Sequence, residues 1–375
     1  MRFKDKVFRH LSNLYGWRTN RKIVVFESDD WGSIRIPNKE IKEKFIKAGV
    51  NLNANHFTKY DSLESNEDLE SLYEVLLKHS DIHGNHPVYT ALFIPANPDF
   101  DKIELNGFER YFCENSLETL KNYPNREKVN ELWDFGLRQK IFFPQLHGRE
   151  HLNVRYWIDN LKADFPVTLK SFYSKFTGIP PDISNENRSD YQAAFEPKSI
   201  EDLKYMKTVL PDAVRHFEQI FRFKPKYFVA PNGPFSIQLE EELFKLGISY
   251  LGTPKIFKDY IGKTKPKTRF RYQGQLNNNN QIFICRNARF EPSRKVKFDW
   301  VKSCIEDIKI AFTMKKPAII STHRVNYIGS INRYNREKNL ILLDNLLKEI
   351  QNRWPDVEFM NSVQLGKTIR DKKNA

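Results

Sequence analysis

Two adjacent carboxylates and a spaced pair of histidines are the residues of this sequence best suited to chemistry. Asp29 and Asp30 follow the apolar run 23–26 after two residues, where a buried strand is expected to reach the surface. His147 ends another predicted strand, and a helical turn after it would place His151 on the same face. Two histidines and one carboxylate form a common catalytic metal site, suited to zinc and also to cobalt, manganese or iron. We therefore expect one divalent metal, with Zn²⁺ as the first choice and Ni²⁺ as a further option.

A third histidine and a tight turn supply further candidate groups. His323 ends the apolar run 318–321, and Asn232 begins a sharp Asn-Gly-Pro turn whose backbone N–H groups could face a site. His83 and His86 precede a predicted strand, so we expect them to be loop histidines away from the chemistry. Each motif alone also fits an ordinary turn, helix cap or surface histidine. Their shared position at strand ends favours a functional site.

Short β-branched and aromatic runs alternate with segments of helical periodicity along most of the chain. This alternation predicts parallel strands flanked by helices, and the absence of a Gly/Ser/Pro-rich linker predicts one closed or nearly closed β/α barrel. The carboxyl ends of its strands would gather the candidate groups at one edge. The predicted strands are 22–30, 87–96, 140–148, 226–233, 248–254, 281–290, 317–325 and 357–362. The predicted helices are 66–79, 126–138, 200–221, 236–246, 298–315 and 335–353.

Composition excludes several classes of protein. The 375 residues, 40% hydrophobic and 14% aromatic, can bury a full core, which excludes a disordered chain. No apolar run approaches the length of a membrane helix, and the first residues lack the apolar stretch of a signal peptide. Cys113, Cys285 and Cys304 form no CxxC pair, which fits a reducing compartment. A cytoplasmic location is therefore expected.

The net charge of +14 bears on the partner of the protein. A positive field attracts phosphates and other anions, and the densest basic stretch lies within 255–271. No nucleic-acid-binding module accompanies these residues, so no specific nucleic acid is expected. A phosphate-bearing substrate, peripheral association with an anionic membrane and an ordinary solvated face explain the charge equally well.

Taken in chain order, the motifs resemble those of the NodB-homology polysaccharide deacetylases, carbohydrate esterase family 4. The stretches 90–100 and 322–329 are most similar to its divergent, unsecreted branch, which is associated with bacterial surface-polysaccharide synthesis. The similarity covers residues 22–365, which leaves an N-terminal extension, 1–21, and a basic C-terminal tail, 366–375. The resemblance implies a single distorted (β/α)7-type barrel and metal-dependent removal of N- or O-acetyl groups from sugars.

The resemblance also implies a role for each candidate residue. Asp29 matches the catalytic base and His323 the general acid, while the backbone N–H of Asn232 matches the donor to the oxyanion. The residues that match the metal ligands are Asp30, His147 and His151.

The sequence departs from the family pattern at two of these motifs. Trp31 stands between the paired aspartates and the following glycine, and Val229 occupies the position of an arginine that pairs with the base. We expect Arg149 or Arg324 to take the place of that arginine. The residues predicted to contact the substrate are Trp31, Pro231, Arg149 and Arg324.

The family's fourth motif, an acidic residue, corresponds here to Asp299 or to Glu291. Either carboxylate would favour the protonated form of His323 that a general acid needs. Asp29 with Glu291 can alternatively be interpreted as the carboxylate pair of a glycoside hydrolase. The valine at 229 in turn favours a non-catalytic glycan-binding protein.

The sequence as a whole therefore predicts a metal-dependent hydrolase that removes an acetyl or similar acyl group from an amino sugar or sugar ester in surface-polysaccharide synthesis. Its partner is expected to be a carbohydrate, and the basic charge favours one linked to a nucleotide or a lipid pyrophosphate. The glycoside hydrolase and the glycan-binding protein stay open as alternatives. The sugar, the acyl group, the native metal and the oligomeric state are left open as well.

Overall fold

The computed structural model describes residues 9–10, 12–179, 191–261 and 265–374. The strands are β1 (Lys22–Trp31), β2 (Tyr89–Phe93), β3 (Ala96–Pro98), β4 (Cys113–Asn115), β5 (Phe142–Leu146), β6 (Tyr227–Val229), β7 (Tyr250–Thr253), β8 (Ile256–Asp259), β9 (Lys267–Phe270), β10 (Ile282–Cys285), β11 (Ala288–Arg289), β12 (Ala318–His323) and β13 (Val357–Phe359).

Helices surround these strands and connect most of them. The α-helices are α1 (Lys39–Lys47), α2 (His56–Tyr60), α3 (Asn66–Leu77), α4 (Phe100–Leu105), α5 (Ser116–Lys121), α6 (Val129–Arg138), α7 (Val154–Lys162), α8 (Pro166–Tyr173), α9 (Ile200–Phe221), α10 (Glu240–Lys245), α11 (Trp300–Thr313), α12 (Arg333–Arg353) and α13 (Ser362–Asn374). Two short 3₁₀ segments cover Ile237–Leu239 and Arg324–Tyr327. No helix in the described ranges combines the length and the apolar character that crossing a bilayer requires.

The main sheet curls into a distorted barrel. Its order is β10-β7-β6-β5-β2-β1-β12-β11, with β13 beside the start of β1, and its strand pairs are parallel. The chain passes from β10 at one end of this order to β11 at the other through Arg286 and Asn287 alone. The two ends of the sheet therefore lie side by side, and the predicted distorted β/α barrel is confirmed.

Strand alternation divides the apolar residues between two cores. Val24 and Phe26 of β1 belong to the large cluster that joins the sheet to its helices. Ile23 and Val25 point the other way, into a smaller cluster made of strand residues and of Ile369 from α13. Helix α13 therefore packs inside the barrel, at the end opposite the carboxyl ends of the strands.

The sequence pattern locates the main elements and misses the peripheral ones. Every predicted strand run contains an observed strand, although 281–290 divides into β10 and β11. The hairpin formed by β8 and β9 lies in the basic stretch, where β8 is only four residues long and β9 is exposed on both faces and shows no alternation. Helix α13 crosses the predicted boundary at residue 365, so the end of the chain contributes to the barrel. The N-terminal segment is also packed, because Lys316 Nζ donates to three carbonyls of residues 15–17 at 2.6–2.9 Å.

Candidate metal centre and active site

A cleft of about 1340 Å³ opens at the carboxyl ends of the strands. The predicted site residues that line it are Asp29, Asp30, His147, His151, Asn232 and His323. The structure therefore brings the two aspartates, the histidine pair and the third histidine together. His83 and His86 lie elsewhere: His83 is exposed near Glu358, and His86 bonds the carbonyl of His79.

A β-bulge brings both aspartates into the cleft. Regular alternation would send Asp29 and Asp30 to opposite faces of β1. The pairing of β1 with β2 shifts register between Ser28 and Trp31, and Asp30 has φ +80°, a left-handed conformation that is rare outside glycine. Residues held in such conformations cost about 1–3 kcal/mol and concentrate at functional sites. The bulge thus turns the Asp30 carboxylate back toward the cleft.

Asp30 Oδ1 is the point on which the two imidazoles converge. Its distance is 3.1 Å to His151 Nε2 and 3.6 Å to His147 Nε2. His147 Nδ1 lies 2.8 Å from the carbonyl oxygen of Val229, so its proton is donated there and Nε2 keeps a free lone pair toward the cleft. Arg35 donates to the other oxygen, Oδ2, at 3.3 Å.

This donor set fits a divalent metal. The three ligand atoms of Asp30, His147 and His151 lie within 4.8 Å of one another, and all three residues are buried. One carboxylate oxygen and two imidazole nitrogens suit zinc and its first-row neighbours. Residues that are not ligands fix the orientation of two of the ligands. The carbonyl of Val229 holds the His147 ring, and Arg35 holds the Asp30 carboxylate.

The predicted helical turn between the two histidines is wrong. Residues 147–153 form an irregular loop, and α7 begins only at Val154, where the Asn153 side chain caps it. Gly148 has φ +106°, outside the helical range, which prevents a helix from starting at the strand end. The loop nevertheless brings the two imidazole centroids to 5.5 Å.

Arg286 is the partner of Asp29, and the sequence reasoning missed it. Its Nη1 donates to Asp29 Oδ2 at 2.8 Å, its Nη2 donates to Asp29 Oδ1, and its Nε donates to Glu27 Oε2 at 2.6 Å. Glu27 and Asp29 are alternate residues of β1, so both face the barrel interior where Arg286 lies. The sequence signal that could have identified Arg286 is a charged residue directly after the buried apolar run 282–285.

The arginines expected to fill this role do not reach Asp29. Arg149 pairs with Glu150 and Asp212, and Arg324 is fully buried against Asp61 and Glu64. Neither arginine lines the cleft, so their positions do not support the predicted contacts with substrate. Both satisfy buried carboxylates instead, as buried charges require.

Trp31 and Pro231 are also buried away from the cleft surface. Trp31 has no exposed area, donates from its indole nitrogen to Ser28 Oγ at 3.0 Å and packs edge-on against Phe142. Pro231 is buried at the turn after β6 and does not line the cleft. Their positions therefore do not support the predicted contacts with substrate, and the inserted tryptophan fills the core behind the bulge.

The electrostatics of Asp29 favour its charged form. Burial alone raises the pKa of Asp29, but the positive charges of Arg286 and of protonated His323 outweigh burial and lower this pKa below its ordinary value. Asp29 is therefore ionised at neutral pH.

His323 lies between two carboxylates. The register of β12 against β1 places it beside Asp29, with His323 Nε2 3.5 Å from Asp29 Oδ2. Its Nδ1 lies 2.5 Å from Glu291 Oε1, while Asn326 donates to Glu291 Oε2 at 2.8 Å. Burial lowers the pKa of His323, but Glu291 and Asp29 outweigh burial and raise this pKa to about 9.

Of the two acidic candidates, Glu291 lies beside His323 and Asp299 does not. Asp299 caps α11 by accepting from the backbone N–H of Lys302 at 2.9 Å, and it does not line the cleft. Its predicted place in the site is therefore wrong, because a side chain that caps a helix start points along that helix.

The segment after β1 adds two residues that the sequence reasoning missed. Arg35 lines the cleft and pairs with Asp30, and Phe57 of α2 packs its ring edge-on to His323 with centroids 5.1 Å apart. The Arg35 guanidinium lies 5.6 Å from the Phe57 ring. Neither residue belongs to a recognisable motif. Asn232, with φ +55°, lies on the opposite part of the wall, after β6.

No protein-family model matches the chain, and no curated protein matches it. Several solved structures do match the chain. A Mycobacterium smegmatis protein assigned as a polysaccharide deacetylase is 9% identical, with 96% of this chain and 94% of that chain covered and a TM-score of 0.42. A Pseudomonas aeruginosa PAO1 protein with the same assignment is 8% identical, with 93% and 91% covered and a TM-score of 0.44.

A 4-α-glucanotransferase from Thermococcus litoralis is also similar, at 9% identity, 92% and 40% coverage and a TM-score of 0.45. Polysaccharide deacetylases are thus among the solved structures to which the chain is similar, as the motifs predict. These identities of 8–9% leave the activity to be inferred from the geometry of the site.

Proposed function

We propose that the protein is a metal-dependent hydrolase that removes an acetyl or similar acyl group from an amino sugar or a sugar ester. The observation that carries this proposal is the convergence of Asp30, His147 and His151 directly beside two further pairs, Asp29 with Arg286 and His323 with Glu291. Metal-assisted hydrolysis of an acyl bond needs three kinds of group in one place: metal ligands, an ionised carboxylate and a protonated imidazole.

Asp30, His147 and His151 would hold the metal, with Zn²⁺ as the first choice. When bound there, a divalent metal supplies Lewis acidity toward an acyl carbonyl and lowers the pKa of water. The chain itself fixes the ligands before the metal arrives, because Val229 orients His147 and Arg35 orients Asp30.

Asp29 is the proposed base. Arg286 holds both of its oxygens, which fixes the carboxylate in place and keeps it ionised at neutral pH. The same contacts make Asp29 a weak base, so its contribution depends on orientation toward the attacking water.

His323 is the proposed acid. With a pKa raised to about 9 it carries its proton at neutral pH, and Nε2 can give that proton to the departing amine or alcohol. The backbone N–H of Asn232, on the opposite wall, is proposed to donate to the developing oxyanion.

The substrate is proposed to be a carbohydrate, because aromatic rings line the cleft and offer flat faces for sugar rings to pack on. The lining rings that are at least partly exposed are those of Tyr15, Phe57, Phe270, Tyr272 and Phe298. The basic charge favours a glycan linked to a nucleotide or a lipid pyrophosphate, reached in the cytoplasm with peripheral association at an anionic membrane. A role in surface-polysaccharide synthesis follows from the same proposal.

The two alternative functions lose support from the site geometry. Both oxygens of Glu291 are bonded, one to His323 and one to Asn326, so Glu291 is poorly placed as the second carboxylate of a glycoside hydrolase. A valine at position 229 favours a non-catalytic protein only if Asp29 lacks an arginine partner. Arg286 is that partner, so this argument does not apply.

The test combines metal analysis with product analysis on the purified chain. We expect one divalent metal per chain, and release of acetate from N- or O-acetylated sugars that stops after chelation and returns with Zn²⁺. His151→Ala should lose metal and activity, whereas Asp29→Asn should lose activity and keep metal. New reducing ends without acetate would show glycoside hydrolysis instead. Equal metal loss in both variants would make Asp29 a ligand.

A further inference from the structure

Two cations on one wall of the cleft have no carboxylate partner in the described part of the chain. Lys255 follows β7 and Arg289 ends β11, and both line the cleft that holds the metal ligands. The other arginines of the cleft are paired: Arg9 with Asp307, Arg35 with Asp30 and Asp61, Arg271 with Glu240, and Arg286 with Glu27 and Asp29. The free positive charge of the cleft is thus concentrated at Lys255 and Arg289.

The ammonium of Lys255 is held by neutral groups. Its Nζ donates to Asn13 Oδ1 at 2.8 Å and to Ser12 Oγ at 3.1 Å, and the side chain is half-buried. Burial lowers the pKa of Lys255 to about 8, because the charged form loses water without gaining a counter-ion. An anion beside Lys255 would remove this penalty.

Asn13 connects Lys255 to the strand that carries Arg289. Asn287 Nδ2 lies 3.4 Å from the same oxygen, Asn13 Oδ1, that accepts from Lys255. Asn287 and Arg289 both line the cleft, and the Asn287 side chain is held by the backbone of residues 317 and 319. Hydrogen bonds link Asn13, Lys255 and Asn287, and Arg289 lies two residues beyond Asn287. These four residues are here named the basic subsite.

The cleft has room for more than one sugar. Its volume of about 1340 Å³ exceeds the roughly 300–1,000 Å³ of ordinary small-ligand sites. A group beside the reacting sugar can therefore occupy the basic subsite while the acyl group lies at the metal ligands.

We propose that the basic subsite binds an oxyanion, phosphate or carboxylate, carried by the same glycan whose acyl group is hydrolysed. This inference rests on the proposed function and adds the class of substrate to it, an acidic or phosphorylated glycan. The donors to the anion are the ammonium of Lys255 and the guanidinium of Arg289, because the amide N–H groups of Asn13 and Asn287 already bond within the protein. Charge-assisted hydrogen bonds to oxyanions are among the strongest in proteins.

The experiment measures anion binding to the metal-free protein by titration calorimetry at low ionic strength. The probes are inorganic pyrophosphate and glucuronate, titrated separately, because removal of the metal excludes binding of the probe to the metal itself. Lys255→Gln and Arg289→Gln should each weaken binding about tenfold or more. Lys258→Gln is the matched control, because Lys258 lies three residues after Lys255 on β8, exposed and outside the cleft, where it bonds Thr268.

Each outcome decides the inference. Binding of pyrophosphate alone assigns a phosphoryl group, binding of glucuronate alone assigns a carboxylate, and binding of both supports the oxyanion class. No binding of either probe, or equal loss in Lys258→Gln, overturns the basic subsite. Lys255→Arg should keep most of the affinity, which separates charge from folding. A protein that binds the anion and releases no acyl acid keeps the subsite and rejects the hydrolase.

Discussion

At the scale of single residues, Arg286 decides how the base is held. It joins Asp29 and Glu27 through three hydrogen bonds, although it comes from the two-residue link that follows β10, the strand at the far end of the sheet order. Chain position therefore predicts little about this contact. The family resemblance places the arginine that pairs with the base at position 229, whereas the barrel here supplies the same charge from the link between β10 and β11.

Arg286→Gln tests this assignment. We expect kcat to fall about ten- to a hundredfold with unchanged metal content, since the variant frees the Asp29 carboxylate without touching a ligand. The measurement is acyl release together with metal stoichiometry. The exposed Arg294→Gln, on the loop after Glu291, is the control and should behave as wild type. Normal turnover in Arg286→Gln would show that Asp29 needs no partner.

The pair of His323 and Glu291 predicts a pH dependence. The pKa of His323 in the folded chain is about 9, above its ordinary 6.5, so protonation stabilises the fold fully below pH 6.5. That stabilisation is lost as the pH rises through about 9. Glu291→Gln removes the nearest carboxylate, so the loss should occur at lower pH.

The measurement is the free energy of unfolding of metal-free wild type and Glu291→Gln between pH 6 and 10. The alkaline fall in turnover should move to lower pH in the same variant. Asp299→Asn is the control, because Asp299 caps a helix away from His323. Identical pH profiles for wild type and Glu291→Gln would remove Glu291 from the control of His323.

At the scale of elements, the sequence predicts strands well and their ends poorly. Apolar runs such as 318–321 predict their strands because burial on both faces leaves a continuous hydrophobic signal. The bulge at Asp30 and the break between β10 and β11 leave no such signal, since both depend on pairing with neighbouring strands. These two irregularities are the features that place Asp30 and Arg286 in the site.

Substitution of Gly32, just after the bulge, tests whether that turn can accommodate a side chain. Its φ is +77°, and a Cβ there would lie 2.5 Å from the carbonyl oxygen of Ile94. Gly32→Ala should therefore lower the free energy of unfolding by about 1–2 kcal/mol for the left-handed backbone and by about 1–3 kcal/mol more for the clash. Metal affinity should fall as well, because the turn positions Asp30.

Gly84→Ala is the matched control for this substitution. Gly84 has φ +78° but no atom within 4 Å of its Cβ position, so only the backbone strain remains. Urea denaturation and metal titration of both variants make the comparison. Equal destabilisation of the two, with normal metal binding, would show that the turn after the bulge can relax.

At the scale of the whole molecule, the barrel is closed at one end and open at the other. The wide cleft and the candidate site lie at the open end. The opposite end is filled by α13, whose Leu365 and Ile369 are fully buried among strand residues. The sequence suggests a basic tail here because charged residues outnumber the few apolar positions that pack inward.

Ile369→Ala tests whether α13 is a structural part of the barrel. A large buried side chain replaced by alanine leaves a cavity, so the free energy of unfolding should fall by about 2–5 kcal/mol. Ile341→Ala is the matched control, because Ile341 lies on α12 with 62% of its side chain exposed and should change stability by less than about 0.5 kcal/mol. Denaturant unfolding measures both. Metal affinity should stay normal in the folded fraction of each variant, because Ile369 lies at the end of the barrel opposite the ligands. An unchanged stability in Ile369→Ala would mean that the barrel interior is held without α13.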